Sequence, residues 1–247
     1  MLDVKIKEIK NMRIPLLCMQ CKEKTLFYPA TLQDNGLYEL KCKNGHESII
    51  SLQEQKFEIL FDLAANAILD GYYREAVSSF TSSLERFYEF YIKVIAIKHN
   101  VSEEVYLKSW KSIKNQSERQ LGAYILLYTI EKDKDPPLLH NKKIEFRNEV
   151  IHKGKIPSKE NAISYGEAVL NVISPVLHDL KTNENDHVMT VVSRHNRDRN
   201  KKIKDAKFMS TMSIATTLSI ATALSEPQQT LKDTMNRYTR SRFHFGC

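Results

Sequence analysis

The sequence contains little glycine and little proline, with seven of each among its 247 residues. Proteins built from many short strands use both residues heavily in their turns, so this scarcity argues against an all-β fold and favours helices. The chain also lacks a long apolar run: the nearest candidate, residues 208–224, contains seven Ser or Thr. A helix that crosses a membrane needs about 20 mostly apolar residues. We therefore expect a helical protein that does not enter a membrane.

Cysteine is also scarce, with four in the whole chain, which excludes the disulfide framework of a small secreted protein. The first ten residues contain no continuous apolar segment of the kind found in signal peptides. Together these absences predict a cytoplasmic protein. The formal net charge of +7 makes an anionic partner plausible. The length suits one large domain or two smaller ones.

Two pairs of potential metal ligands lie near the start of the chain. Two residues separate Cys18 from Cys21, and three separate Cys42 from His46. Structural zinc takes four nitrogen or sulfur ligands in a tetrahedron, and such short spacings let one turn offer two of them. The sequence therefore predicts a zinc-ribbon-like module over residues 1–50, with Zn²⁺ in a structural role. The competing interpretation is a redox Cys-x-x-Cys motif, which usually opens a helix in a βαβ unit.

A β-hairpin is expected between the two ligand pairs. Residues 25–28 and 37–41 have the composition of strands, and Asp34–Gly36 is a turn signal. The task of this module stays open at this point, because RNA contact, partner docking and control of dimer geometry all suit a small metal-stabilised unit.

Residues 52–180 have the pattern of a helical bundle. Apolar residues recur at spacings of three and four from Phe57 to Ala67, and Gly71 marks the end of that helix. A longer seam follows after a short connection, so the two helices should run antiparallel. Leu121–Ile130 is apolar on every side and predicts a buried central helix. The seam consists of Val77, Phe80, Leu84, Phe87, Tyr91 and Val94.

A later helix carries the residues of most chemical interest. Asp135 and Pro136 have the character of an N-cap and a first helical residue, and Gly154 has the character of a stop signal. We therefore expect a helix from about Asp135 to about Lys153.

Arg147 lies in the middle of the apolar face of this helix, whereas Asn148 and His152 share a different face. A guanidinium on an apolar face needs a partner, which Glu85 or Glu89 of the seam helix could supply. The alternative is that both are solvated surface carboxylates. Arg147 and His152 stand about 140° apart on the helix. Either the helix ends between them, or a second copy of the chain completes the site.

The pattern Arg-Asn-x-x-x-His near the end of a late helix, after a long helical hairpin, resembles the HEPN superfamily. These are small all-α domains whose hallmark is an Arg followed, after four to six residues, by a His. The resemblance covers residues 52–180. It implies a mainly α fold, with a HEPN-like helical bundle preceded by a small β-hairpin zinc ribbon.

Many HEPN proteins are metal-independent RNases that act as homodimers, often as toxins or antiviral defence effectors in bacteria. The resemblance implies that Arg147, Asn148 and His152 are catalytic and that RNA is cut by attack of a 2′-hydroxyl, leaving a 2′,3′-cyclic phosphate. It also makes an antitoxin or regulatory protein a possible partner. One alternative is a non-catalytic HEPN-type module that binds RNA or nucleotide or serves as a scaffold. Another is a structural helix, with Arg147 in a buried ion pair and His152 an ordinary surface residue.

Residues 182–247 differ in character, with 11 Lys and Arg against six Asp and Glu. We predict a basic C-terminal helical extension that ends in a loose tail, Arg237–Cys247. The basic cluster Arg194–Lys202 could contact phosphates, or it could be a solvated linker. Residues 194–207 are the only candidate for a DNA-recognition helix.

Overall fold

A computed structural model of the chain describes residues 12–22, 27–201, 203, 208–227 and 229–244. Within these residues there are eight α-helices and five short β-strands, so the protein is mainly helical, as the scarcity of glycine and proline predicts. None of the helices in this part of the chain has both the length and the apolar character needed to cross a membrane. The N-terminal segment examined for a signal peptide lies outside the described residues.

The chain divides into two compact units, each built from two stretches of sequence. The first unit comprises residues 1–53 and 196–214, and the second comprises residues 54–195 and 215–247. The first unit holds the strands, and the second holds the helical bundle.

The first unit consists of a two-stranded and a three-stranded sheet. Strand β1 (Arg13–Leu17) pairs antiparallel with β2 (Phe27–Thr31). Strand β3 (Leu37–Lys41) pairs antiparallel with β4 (Glu47–Leu52), and β5 (Met209–Met212) joins β4 in parallel. Its core consists of Ile14, Leu16, Cys18, Tyr38, Leu40, Cys42, Ile50 and Leu52.

The prediction that residues 25–28 and 37–41 pair with each other as a hairpin is wrong. Both strands exist, but β2 pairs with β1 and β3 pairs with β4, in separate sheets. The reason is that each ligand pair needs a tight turn of its own, and the chain reverses direction at each of them. The metal-ligand turns are therefore themselves the loops of the two hairpins. Thr25 and Leu26 lie outside the described residues.

The second unit is organised around a hairpin of two long helices, α1 (Lys56–Leu69) and α2 (Tyr73–Lys98). The ring of Phe57, at the start of α1, contacts that of Phe87 in the second half of α2, with 5.3 Å between centroids. The helices are therefore antiparallel, as predicted. Gly71 lies between them with a φ of 84°, a conformation that favours glycine. All six residues of the predicted seam are buried.

The remaining helices complete the bundle and extend beyond it. Ser158 caps α6 as a capping box, its hydroxyl accepting a hydrogen bond from the N–H of Asn161 at 3.2 Å. The helices are α3 (Glu103–Lys111), α4 (Ser117–Lys132), α5 (Asn141–His152), α6 (Lys159–Asn183), α7 (Asn185–Asn200) and α8 (Leu231–His244).

The prediction that Leu121–Ile130 is buried on all sides is wrong. This segment lies in α4, where one face packs inward through Tyr124, whose ring stacks on that of Tyr88 at 4.4 Å. Leu126 and Ile130, on another face, remain 61% and 63% exposed. An apolar composition alone does not reveal how many neighbours a helix has, and the described residues cover α4 on one side only.

The loose tail expected from residue 237 onwards is also wrong for the part that the structure describes. Residues 231–244 form α8, in which Leu231 and Thr234 are buried. Residues 245–247, including Cys247, lie outside the described residues.

Candidate functional site

Cys18, Cys21, Cys42 and His46 converge within the first unit. One ligand atom from each of the four lies within 4.8 Å of the ligand atoms of the others. The Sγ atoms of Cys21 and Cys42 are 3.7 Å apart. The Nδ1 atom of His46 lies 3.7, 3.4 and 3.5 Å from the Sγ atoms of Cys18, Cys21 and Cys42, respectively.

These separations suit a tetrahedral metal centre. Zinc bonds of about 2.3 Å to sulfur and about 2.1 Å to nitrogen place two tetrahedral sulfurs about 3.8 Å apart, and a sulfur and a nitrogen about 3.6 Å apart. The sulfur–sulfur distance between Cys21 and Cys42 and the three distances from His46 lie close to these values. The four residues can therefore hold one metal ion, as the sequence spacing predicts.

Two tight turns position the ligands. The N–H of Cys21 donates to the carbonyl of Cys18 at 3.3 Å, which closes the first turn. In the second, the N–H of Gly45 donates to the carbonyl of Cys42, and the N–H of Cys42 donates to the carbonyl of His46, both at 3.0 Å. Gly45 has a φ of 80°, which residues with a Cβ rarely adopt.

The electrostatic surroundings of the cluster favour thiolate at Cys42. Burial alone would raise the pKa of its thiol, but hydrogen bonds from the backbone N–H groups of His46 and Asn44 outweigh it and lower the pKa to about 7. Because metals bind the thiolate form, the protein itself prepares this ligand. The side-chain amide of Asn44 also donates to the sulfur of Cys21 at 3.3 Å.

The helix that carries the Arg-Asn-x-x-x-His motif is shorter than expected. Its first residue is Asn141, and the N-cap is His140, whose Nδ1 accepts a hydrogen bond from the N–H of Lys142 at 3.3 Å. The predicted start at Asp135 is wrong. Pro136 is itself followed by Pro137, and a residue before proline is pushed away from helical backbone angles.

The end of the motif helix is as predicted. Helix α5 runs to His152 and is followed by Gly154 with a φ of 72°. The helix therefore does not end between Arg147 and His152, and a single chain leaves them on different faces. Completion of the site by a second copy stays a prediction.

Arg147 is half-buried on α5. Its Nε atom is buried and has no hydrogen-bond partner among the described residues. Burial raises the pKa of Glu85, and the charges of Arg86 and Arg147 oppose the shift. Burial also raises the pKa values of Tyr88 and Tyr165, whereas the positive charge of Arg147 acts to lower them. Arg147 is thus within electrostatic range of a carboxyl group and two phenols.

Of the two acidic residues that could pair with Arg147, Glu89 does not. Its carboxylate contacts Arg86 at 2.8 Å and Lys93 at 3.1 Å, both on its own helix. Glu85 is the carboxyl group whose pKa the charge of Arg147 acts to lower. Even so, none of the ion pairs within the described residues includes Arg147. The guanidinium therefore keeps hydrogen-bonding capacity that the bundle does not use.

The two other motif residues have different surroundings. His152 is exposed at the last position of α5, and Asn148 is half-buried one turn earlier. Neither side chain makes a hydrogen bond to any described residue. Sequence reasoning missed Tyr88 and Tyr165 as neighbours of the motif, because aromatic residues in amphipathic helices are most simply interpreted as core.

The basic cluster near residue 199 has structural partners. The guanidinium of Arg199 donates to the backbone carbonyl of Leu52. Arg197 and Lys201 both contact Asp198, at 3.3 and 3.2 Å. Because these groups are already engaged, the cluster has fewer hydrogen-bond donors free to bind phosphates. Lys202 lies outside the described residues.

Comparison of the chain with protein-family models, with curated proteins and with solved structures finds no match. The HEPN resemblance therefore stays a prediction that rests on the motif and its helical context.

Proposed function

We propose that the protein is a metal-independent endoribonuclease whose reactive groups lie on α5. One observation carries the proposal: α5 ends in an exposed imidazole without a partner, and one turn earlier holds a guanidinium whose buried Nε also lacks one. Both groups belong to the described part of the chain. A buried polar atom without a partner calls for an explanation, and a substrate phosphate bound by the guanidinium would supply one.

The residue types suit cleavage of RNA through its own 2′-hydroxyl. The 2′-oxygen attacks the adjacent phosphorus, the bond from phosphorus to the 5′-oxygen breaks, and that oxygen takes up a proton. The products are a 2′,3′-cyclic phosphate and a 5′-hydroxyl. His152 transfers protons, because imidazole titrates near neutrality. Arg147 stabilises the charge on the pentacoordinate phosphorus, and Asn148 orients the imidazole or holds the substrate.

We propose that the active form is a homodimer. Arg147 and His152 lie on different faces of an uninterrupted helix, so one chain does not present both groups to one phosphate. A second copy that places its own α5 opposite the first supplies the missing group.

We further propose that Cys18, Cys21, Cys42 and His46 bind a structural Zn²⁺. Four protein ligands close a tetrahedron and leave no open position for a substrate, which separates this centre from the reaction. A small unit gains folding free energy from such a metal. The metal would hold the two hairpin loops together.

A role as a bacterial toxin or antiviral effector in the cytoplasm, with an antitoxin or regulatory partner, is part of the same proposal and rests on the HEPN resemblance. A second candidate function is a non-catalytic module that binds RNA or nucleotide. The half-buried guanidinium of Arg147, whose Nε has no partner among the described residues, favours it, because binding a phosphate needs this cation but no proton transfer by His152.

The test compares an RNA oligonucleotide with its 2′-O-methyl analogue, which lacks the attacking hydroxyl. In EDTA, the wild-type protein should cut only the RNA, and mass spectrometry should find 2′,3′-cyclic phosphate ends. His152→Ala should abolish cleavage, whereas His178→Ala, which removes an exposed histidine of α6, should not. Cleavage of the 2′-O-methyl strand, or equal activity of the two variants, would refute the proposal. Binding of RNA without any cleavage would favour the second candidate.

A further inference from the structure

The exposed face of α4 carries no charge over about three turns. Between Arg119 and Glu131 the helix contains no charged residue. Gly122, Leu126 and Ile130 lie four residues apart and therefore share one face, and all three are exposed, Leu126 by 61% and Ile130 by 63%. A helix at a protein surface normally carries charged residues on its exposed side. An apolar face that interrupts this pattern is a feature of interaction sites.

Gly122 gives this face an unfilled position. Glycine in the interior of a helix is unfavourable relative to alanine. Nothing in the described part of the chain requires glycine here, because a Cβ at this position would meet no described atom within 4 Å. The helix therefore offers bare backbone one turn before Leu126, and an aliphatic side chain of a partner can pack closely against it.

Two charged residues stand at equal distances from Leu126 along the chain. Arg119 lies seven residues before it, in the first turn of α4, and Asp133 lies seven residues after it, as the C-cap. Both are exposed. Because positions seven apart differ by only about 20° around a helix, the apolar face ends at a cation on one side and at an anion on the other.

Neither of these charges has a partner of opposite sign among the described residues. The guanidinium of Arg119 donates to the carbonyl of Ser112 at 2.7 Å, and the side chain of Asp133 forms no ion pair or hydrogen bond with a described residue. Lys132 provides the contrast, since it is paired with Asp179 at 2.5 Å. Opposite charges at equal distances from its centre make the α4 face complementary to itself when a copy is turned end over end.

We propose that the face formed by Gly122, Leu126 and Ile130 binds the same face of a second copy of the chain, in antiparallel orientation. The two-fold axis passes beside Leu126, so the two leucine side chains meet there. Ile130 of each copy lies level with Gly122 of the other, and Arg119 of each lies opposite Asp133 of the other. The inference stands on α4 and does not rest on the nuclease proposal.

The first test measures self-association of the full chain by analytical ultracentrifugation over a wide range of concentration. The wild-type protein should form a dimer. Leu126→Arg should weaken dimerisation by about 100-fold or more, because two guanidinium groups would meet at the axis. Met189→Arg, the same kind of change at a 45% exposed position of α7, should leave the dissociation constant unchanged. An unchanged circular dichroism spectrum shows that each variant has kept its helices.

The antiparallel orientation is tested by reversing one charge at a time. In Arg119→Glu two acidic groups would face each other at each end of the interface, and in Asp133→Lys two basic groups would do so. Each variant should therefore dimerise about tenfold or more weakly than wild type. In a parallel dimer, Arg119→Glu would only exchange one like-charged pair for another and leave the affinity unchanged.

An equimolar mixture of the two charge variants should regain dimers, because each copy then offers the charges that the other needs. Native mass spectrometry distinguishes this mixed dimer from either parent by mass. Three outcomes would overturn the inference: a protein that stays monomeric at every concentration, equal dissociation constants for wild type and Leu126→Arg, or no recovery in the mixture.

These outcomes are separable from failure of the nuclease proposal. A dimer that depends on Leu126, in a protein that cuts no RNA, refutes the nuclease alone. RNA cleavage by a protein whose dimer is indifferent to Leu126→Arg refutes this interface alone.

Discussion

The carboxylate of Asp62 on α1 accepts a hydrogen bond at 2.9 Å from the guanidinium of Arg237 on α8, 175 positions later in the chain. The hydroxyl of Tyr238 donates to the same carboxylate at 2.7 Å, and the N–H and hydroxyl of Thr217 donate at 3.1 and 2.5 Å. Asp62 is fully buried. The C-terminal segment is therefore an integral part of the second unit.

Replacement of Asp62 should destabilise the protein strongly. In Asp62→Ala the charge of Arg237, whose side chain is 26% exposed, loses its partner, and Thr217 loses its acceptor. We predict a loss of about 3 kcal/mol or more in the free energy of unfolding, measured with urea. Arg240→Ala, at an exposed position of the same helix, should stay within about 0.5 kcal/mol of wild type. An unchanged unfolding midpoint for Asp62→Ala would contradict the structural role of this network.

Glu58 lies one turn before Asp62 and is also buried. Its carboxyl group accepts hydrogen bonds from the N–H groups of Gln55 and Ile220, at 2.7 and 3.0 Å. Burial nevertheless dominates and raises the pKa of Glu58 to about 8 from its ordinary value of 4.5. The folded protein thus holds a proton at Glu58 that the unfolded chain releases.

This difference sets the sign of a pH dependence. Between about pH 4.5 and pH 8 the folded state binds one more proton at Glu58 than the unfolded state, so stability falls as pH rises through this window. The contribution is at most about 1.4 kcal/mol per pH unit. Urea unfolding at pH 5, 7 and 9 should show a steeper decline for wild type than for Glu58→Gln. Parallel pH profiles for the two proteins would disprove the assignment.

The metal proposal predicts one zinc ion per chain by elemental analysis. Cys42→Ser should lose most of that zinc, because three remaining ligands bind it more weakly and Cys42 is the thiol best prepared as a thiolate. Cys247→Ser is the matched control and should keep a full complement, since Cys247 is not among the four ligands. Zinc retained by Cys42→Ser, or a different metal in the wild-type protein, would require another account of the cluster.

The homodimer proposal predicts recovery of activity when two inactive variants are mixed. If each site combines Arg147 of one chain with His152 of the other, an exchanged mixture of Arg147→Ala and His152→Ala contains heterodimers with one intact site. We expect cleavage to reappear in that mixture. Mixing His152→Ala with the double variant should restore nothing. Failure of the first mixture after proven subunit exchange would exclude a shared site.

Patterns that arise locally were predictable from the sequence. The buried side of α2 follows from its spacing of three and four, since every residue on that stripe meets α1 or a neighbouring helix. The closeness of Cys18 to Cys21, and of Cys42 to His46, follows from turn geometry, because a tight turn brings closely spaced ligands together.

Features set by distant parts of the chain were not predictable. Nothing near Asp62 in the sequence indicates that Arg237 will neutralise it, and the exposure of Leu126 depends on the absence of a covering helix. The pairing of β2 with β1 rather than β3 depends on where the chain reverses direction. The start of α5 was mispredicted for a local reason: Pro137 overrides the capping signal of Asp135.

The central claim is that Arg147 and His152 act together on RNA, and the cleavage rates of Arg147→Ala, His152→Ala and the double variant test it most directly. Removing either group should slow cleavage in EDTA by about 100-fold or more. The double variant should cleave no more slowly than the slower single variant. The reason is that the effects of removing two groups that stabilise one transition state do not add. Cleavage at the wild-type rate by either single variant would contradict the claim.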